Sequence, residues 1–333
     1  VGSFRSCTQL ESITLPSGLA GWLPNFNDCS NLKSITIPDN VIVIDRRNFE
    51  GCNSLKTINI SASSKLEEIK EEAFQRTPVT EIHLPESVKK LGRYAFAYCT
   101  QLTHVTLPKN NTAFQMENFV FTGCSALENI NLPTSLTSIP QDAFSNCISL
   151  NEITIPDSVK EFVEDYGQTF YNCKNLKKIN LSHNMTNITQ SMFDGCESLT
   201  DIVIPNSVKE IGSCSFDGCN NLKNITLSNE IISISNGIFD DTSWYKEQPD
   251  GVIYLGNVLY AYKGEMPENT TINVADGTKV IADGAFYGCK NLKDIIIPQS
   301  IINIGSNALK NTSWLNTQPN GIVYVDKIAY GYK

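Results

Sequence analysis

The chain has 333 residues, 41% of them hydrophobic, with 26 basic against 35 acidic side chains and a formal net charge of −9. That balance gives no sequence-wide attraction for a phosphate backbone or an anionic lipid surface, so nucleic acid is not an expected partner. No stretch approaches the roughly 20 apolar residues that a membrane-spanning helix needs, and eleven cysteines is an odd number for a disulfide framework. Val1 opens without an initiator Met or a basic-then-apolar leader, so the start reads as trimmed and leaves room for a removed export signal.

Along the chain one unit recurs: F-x-x-C-x-x-L-x-x-I-x-[IL]-P-x-S-V-x-x-I-x-x-x-A, after which the next Phe begins again. Clean copies start at Phe49, Phe144 and Phe193. The first strand apolar of each copy is Ile13, Ile35, Ile58, Ile82, Val105, Ile130, Ile153, Ile179, Ile202, Ile225, Ile272 and Ile295. Successive spacings are 22, 23, 24, 23, 25, 23, 26, 23, 23, 47 and 23, where 47 is one period of 23 plus 24 inserted residues. A fixed period of this size means a solenoid, because one coil cannot bury its own apolar face and must stack on its neighbours. Within each coil the I-x-[IL] pair predicts a short strand with both apolar side chains inward, usually ended by Pro. The V-x-x-I that follows, as in Val208 and Ile211, is expected to supply the opposite wall. The A-F pair, as in Ala143 and Phe144, turns the chain back with a large apolar plug. Stacked strands would form one parallel sheet about 55 Å long at about 4.8 Å per coil.

The period also places ten of the eleven cysteines, Cys7, Cys29, Cys52, Cys99, Cys124, Cys147, Cys173, Cys196, Cys219 and Cys289, in one inward register. Neighbouring thiols would be within disulfide reach, but parallel Cβ vectors resist bridging, so buried, unreactive thiols are expected in preference to disulfides or metal. Cys214 falls outside the register and is the candidate reactive thiol. So many unpaired thiols ordinarily suggest a reducing compartment.

The unit resembles the BspA-like leucine-rich-repeat proteins, through G-C-x-x-L-x-x-I-x-[IL]-P and I-x-x-x-A-F, most closely in DGTKVIADGAFYGCKNLKDIIIP from Asp276 to Pro298. The resemblance runs over essentially the whole chain. It implies a leucine-rich-repeat solenoid of the α/β repeat class, β-rich, with short parallel strands stacked into a curved sheet. It also implies an extracellular or cell-surface protein of a bacterium or protist, engaged in adhesion to host proteins or other cells. Three departures stand out: Arg76 lies near the expected Cys position, Leu309 replaces the final Phe, and Ser61, Ser182 and Ser228 replace the strand-ending Pro. The expected organisation is a solenoid over 1–239, an inserted β-hairpin module over 240–270, further repeats over 271–309 and a second hairpin module over 310–333, with the chain stopping inside a longer array.

Binding is expected on the outward strand face, whose central register includes Thr36, Asn131, Thr154 and Asn180. That face is small, polar and free of aromatics, which offers few anchors for a tight protein complex. One constellation rises above it: Glu81 and His83 on one strand, His104 and Thr106 on the next. Two imidazoles and a carboxylate can hold zinc, but nothing beside them positions an electrophile or orients a base, so an incidental surface cluster is the favoured reading and no metal is expected. The second candidate is the recurring hairpin text, TSWYKEQPDGVIYLGNVLYAYK from Thr242 and TSWLNTQPNGIVYVDKIAYGYK from Thr312, displaced by 70 residues. Trp244, Tyr254, Tyr260 and Tyr262, with Trp314, Tyr324, Tyr330 and Tyr332, could form an aromatic platform for sugars or protein. Rings covering the solenoid where the coil is interrupted are the favoured alternative, since so large an exposed stripe invites aggregation.

Two weaker signals are the Asn-x-Ser/Thr triplets, which composition explains, and the acidic-aromatic bulge EFVEDYGQTFY from Glu161, which reads as a solvated loop before a cation site. There is no nucleophile with a base, no phosphate loop and no enclosed carboxylate pair, so neither enzyme activity nor a cofactor is expected. The expectation is a monomeric, non-enzymatic scaffold binding a protein or glycan ligand, with a structural stalk that displays another domain as the alternative.

Overall fold

The computed structural model describes residues 4–162 and 167–332. The chain winds as a solenoid of short parallel strands, about 23 residues per coil, and its strands fall into two stacked ladders. The first ladder carries the I-x-[IL] strands, from Ser34–Ile37 and Thr57–Ile60 through Glu81–His83, His104–Thr106, Asn129–Ile130, Glu152–Thr154 and Lys178–Asn180 to Asp201–Val203, Asn224–Thr226, Thr270–Asn273 and Leu292–Ile296. Their registers pair equivalent apolars, such as Ile35 with Ile58 and Ile153 with Ile179, so every inward side chain of one coil lies over its counterpart in the next. The single continuous sheet expected from sequence is not what forms. The first ladder is broken into runs of two, five, two and two strands, and the coil of Ile13 contributes none.

The opposite wall is also a strand ladder, which the sequence did not reveal. Two-residue strands such as Glu68–Ile69, Lys90–Leu91, Asn187–Ile188 and Glu210–Ile211 pair in parallel with their neighbours. Buried backbone groups must be bonded to something, and in a coil one residue layer thick the only partners lie on adjacent coils. Helix is almost absent: among the described residues it is confined to Ser243–Lys246 and Ser313–Thr317.

Between the second ladder and the first, an arc of turns carries the A-F-x-x-C text. Residues two before each Phe (Arg47, Glu72, Tyr94, Phe119) and two after it (Asp28, Arg76, Tyr98, Asn146) have positive φ, so the arc bends twice through the left-handed region. That explains the Gly of the G-C motif: Gly51, Gly123, Gly195 and Gly218 occupy the same left-handed position without a Cβ penalty. Inside the arc the Phe rings form a continuous stack from Phe4 to Phe239, with centroids 4.8 to 5.9 Å apart.

All eleven cysteines are free. Eight of the ten in the repeat register are buried, but Cys7 is exposed and Cys289 only half-buried, a correction to the uniform ladder expected. Cys7 lies in a coil without a strand and with no described coil before it to cover the thiol. Arg76 does not take the cysteine's place. It sits on the left-handed turn, and the buried Thr77 fills the position, as Thr242 and Thr312 do in their coils. Each of these threonines donates its hydroxyl to the carbonyl three residues earlier, at 2.6 to 2.7 Å. The bulge expected from Glu161 onward includes residues 163–166, which lie outside the described residues.

Candidate functional site

On the first ladder, outward side chains of successive coils sit opposite one another and bond across the gap. Asn59 donates its amide to the Thr36 hydroxyl at 3.3 Å, and Asn180 does the same to Thr154 at 2.9 Å. These are cross-strand pairs of the kind that stabilise a sheet by about 0.2–1 kcal/mol each. They also fix the outward groups in place.

Glu81, His83, His104 and Thr106 are brought together as one exposed patch, with Glu81 opposite His104 and His83 opposite Thr106. Both nitrogens of His83 are already engaged: Nε2 lies 3.6 Å from Glu81 Oε2, and Nδ1 is 3.0 Å from the Thr106 hydroxyl. The two imidazole centroids are 5.8 Å apart and tilted by 52°. Among the described residues no group of three or more His, Cys, Asp or Glu side chains is arranged to hold a metal ion.

A feature that the sequence did not single out lies further along the same face. An open groove of about 830 Å³ is bounded by Asn129, Asn131, Thr134, Glu152, Thr154 and Asp157. A smaller one, about 380 Å³, is bounded by Lys178, Asn180, His183, Asp201 and Val203. Between them Asp157 accepts from the backbone N–H of His183 at 2.8 Å and lies 3.0 Å from its ring, which holds the Asp157 carboxyl below its usual range. Asn131 looks like Asn59 and Asn180 in sequence, so no local signal marked the groove.

The two hairpin modules share one construction. Thr242 and Thr312 cap the short helices by accepting from the N–H of Tyr245 and Leu315, each at 3.1 Å. Antiparallel strands follow, Gly251–Leu255 with Val258–Lys263 and Ile322–Val325 with Ile328–Tyr332. The strand Val258–Lys263 then joins the second ladder in parallel with Val280–Ile281. An exposed platform of eight rings is not formed. Tyr260 and Trp314 are buried, Trp244, Tyr254, Tyr262 and Tyr330 are half-buried, and only Tyr324 and Tyr332 stand in solvent. Trp244 packs edge-on against Phe239 and Tyr260, at 5.8 and 5.7 Å, so these rings continue the core beyond the end of the Phe stack. Tyr254 is turned inward because its hydroxyl accepts the N–H of Ala275 at 3.0 Å.

Among the described residues no helix is long and apolar enough to cross a membrane. Comparison with curated proteins finds no match. Solved structures are similar along most of the length. A leucine-rich repeat protein from Bacteroides ovatus is 26% identical, over 93% of this chain and 79% of that one, with a TM-score of 0.50. A leucine rich cell surface protein from Faecalibacterium prausnitzii is 27% identical, over 65% of this chain and 59% of that one, with a TM-score of 0.44. The T. pallidum leucine rich repeat protein is 27% identical, over 57% of this chain and 78% of that one, also with a TM-score of 0.44. The family described as BspA type leucine rich repeat region, in six copies, matches residues 24–120, 114–246 and 255–329. With the repeat, the two ladders and this family match in agreement, the chain belongs to the BspA-type leucine-rich-repeat family.

Proposed function

We propose that the chain is a non-enzymatic recognition scaffold, displayed on or released from a cell surface, that engages protein or glycan partners through the outward face of its first ladder. The carrying observation is the cross-bonded row of that face, where pairs such as Thr36 with Asn59 and Thr154 with Asn180 hold polar groups fixed before any partner arrives. Groups already ordered lose little entropy on binding, which favours recognition by a rigid surface. Family membership supports a repeat scaffold, and surface placement and adhesion follow from the resemblance of the repeat.

The test is retention of the purified chain on cultured epithelial cells and on surfaces coated with extracellular-matrix proteins or glycans. Selective, saturable retention that falls when Thr106 and Thr154 are replaced by Lys, and persists when Lys209 and Glu210 of the opposite wall are exchanged, supports the proposal. Retention on none of them would favour the stalk reading, for which the absence of Trp, Tyr and Arg from this face is the supporting observation.

A further inference from the structure

The outward row is interrupted at the strand Asn129–Ile130. Asn131 stands in the same register as Asn59 and Asn180, yet its amide bonds to neither Thr106 nor Thr154, whereas Asn59 and Asn180 each reach the threonine of the preceding coil. The backbone opens at the same place. In other coils the residue that follows the strand centre donates its N–H to the next coil, as Leu84 does to Thr106 at 3.0 Å, Ile155 to Asn180 at 2.8 Å and Ile204 to Thr226 at 2.8 Å. No such bond joins Leu107 to Asn131, Leu132 to Thr154 or Leu181 to Val203. Asn129–Ile130 meets the following strand through the single pair Asn129 with Glu152. Both grooves of the face therefore coincide with missing rungs of the ladder. The coil from Val105 to Ile130 spans 25 residues, two beyond the period.

Resting on the reading of this face as a recognition surface, we propose that the larger groove binds a neutral, hydroxyl-rich oligosaccharide. Asn129, Asn131, Thr134 and Thr154 each offer both donors and acceptors, and a sugar hydroxyl likewise needs one of each. The side chains of Asn129, Asn131, Thr134 and Glu152 make no hydrogen bond within the protein, so they are free for a ligand. Glu152 and Asp157 are the only charged residues of the lining, which repels sulfated, phosphorylated or acidic ligands. Half-buried Leu132 and Pro156 give the groove an apolar edge suited to the C–H face of a ring. Aromatic and arginine anchors for a protein partner are missing from it. The second groove begins two coils further on, about 10 Å away at the spacing of stacked strands, and the Asp157–His183 pair joins the two linings. A chain of sugars spans this arrangement better than a single ring.

The experiment is native affinity electrophoresis of the full chain through gels containing mannan, xylan, a β-glucan or a galactan, with heparin as the anionic probe. Expected is retardation by at least one neutral polysaccharide, with apparent affinity reduced about tenfold in N131A/E152A, the loss of two or so hydrogen bonds. Glu210→Ala, on the opposite wall and outside both grooves, keeps the wild-type affinity. All of these side chains are exposed, and unchanged thermal melting of each variant secures the comparison. Retardation by none of the neutral polymers, retardation by heparin alone, or an unchanged N131A/E152A overturns the proposal. Retention on cells or matrix proteins together with such a result removes the saccharide groove and leaves the recognition surface standing. A glycan effect lost equally in E210A removes the groove as its site.

Discussion

The thiol of Cys147 donates to the backbone carbonyl of Phe121, 26 residues earlier and one coil back, at 3.2 Å. The same bond recurs from Cys29 to Phe4, Cys52 to Phe26, Cys99 to Phe74, Cys124 to Phe96, Cys173 to Phe144, Cys196 to Phe170 and Cys219 to Phe193, between 3.0 and 3.3 Å. In the turn arc, where neither strand ladder reaches, the N–H three residues on fills one lone pair of each Phe carbonyl, as Cys124 does for Phe121 at 3.1 Å, and the second is left for another donor. The cysteine supplies it while filling the space of a small apolar side chain. The register is thus a set of stitches between coils, made with sulfur but without disulfides.

Thiol accessibility is the first consequence. Cys7 is exposed, and Cys214 and Cys289 are partly so, while the other eight are sealed in the core. Burial also raises the pKa of the sealed thiols, those of Cys52, Cys99 and Cys173 to about 12, so little reactive thiolate exists at neutral pH. Titration of the native protein with an aromatic disulfide reagent should therefore count at most three thiols, Cys7 fastest, and all eleven only after denaturation. Cys214 is slower than its exposure suggests, because burial and the neighbouring Asp217 carboxylate raise its pKa. Rapid modification of more than three thiols in the folded state would show that the coils are not stitched as described.

Alkaline pH should loosen the solenoid through these same groups. An unfolded thiol ionises near pH 8.5, whereas burial holds those of Cys99 and Cys173 protonated to about 12. Below the unfolded value both states keep the proton and stability does not depend on it. Between the two values the unfolded chain has lost protons that the folded chain retains, so stability falls as pH rises. Each fully buried thiol contributes at most about 1.4 kcal/mol per pH unit to that slope. Urea melts at pH 7.5 and pH 10 should show a large loss for the wild type and a smaller one for C99S/C173S, whose hydroxyls do not titrate there. Equal losses in the two proteins would assign the alkaline sensitivity elsewhere.

The coil and its contents were legible in sequence because stacking imposes one length on every repeat, and Ile58, Ile82 and Ile153 can be counted off it. The second ladder was not, since V-x-x-I places only two residues in strand conformation, too few for a period of two to show. Left-handed turns at Arg47, Glu72 and Tyr94 were equally hidden, because these residues carry none of the Gly or Asn signal that normally marks such positions. Thr77 escaped notice because a threonine among threonines has no spacing of its own until Phe74 fixes it. The groove at Asn131 depends on rungs that are missing, and an absent bond leaves no mark on residue type.

Close stacking also fixes where side chains are forbidden. Gly305 follows a second-wall strand, and a Cβ built there would stand 2.3 Å from the Cα of Asp283 and 2.4 Å from its N, one coil back. At Gly92 the corresponding distance is 2.5 Å, to the backbone N of Glu71, and at Gly212 it is 2.9 Å, to that of Gln190. Backbone cannot swing aside as a flexible side chain can, so the coils must part. Gly305→Ala and Gly92→Ala should destabilise by about 1–3 kcal/mol, the range for overpacking, and Gly212→Ala by less. Chemical denaturation of the three variants checks the ranking, and a Gly305→Ala protein as stable as the wild type would mean that the spacing between coils is softer than it looks.

The repeated hairpins provide an internal control on a buried hydroxyl. Tyr260, 2% exposed, accepts the N–H of Phe239 and donates to Asp240 Oδ1, both at 2.9 Å. Tyr330 holds the equivalent place 70 residues later and accepts the N–H of Leu309 at 2.8 Å, but it is half-buried. Tyr260→Phe strands a buried N–H and takes a donor from a carboxylate that burial already holds above its usual pKa. That loss should cost about 1–3 kcal/mol. In Tyr330→Phe water can reach the freed N–H, so the expected loss is under about 1 kcal/mol. Urea denaturation of the two single variants and the double variant measures both terms, and because the sites lie in separate modules their effects should add. A larger loss from Tyr330→Phe than from Tyr260→Phe would show that the hydroxyls do not anchor the hairpins to the coils in the way their burial implies.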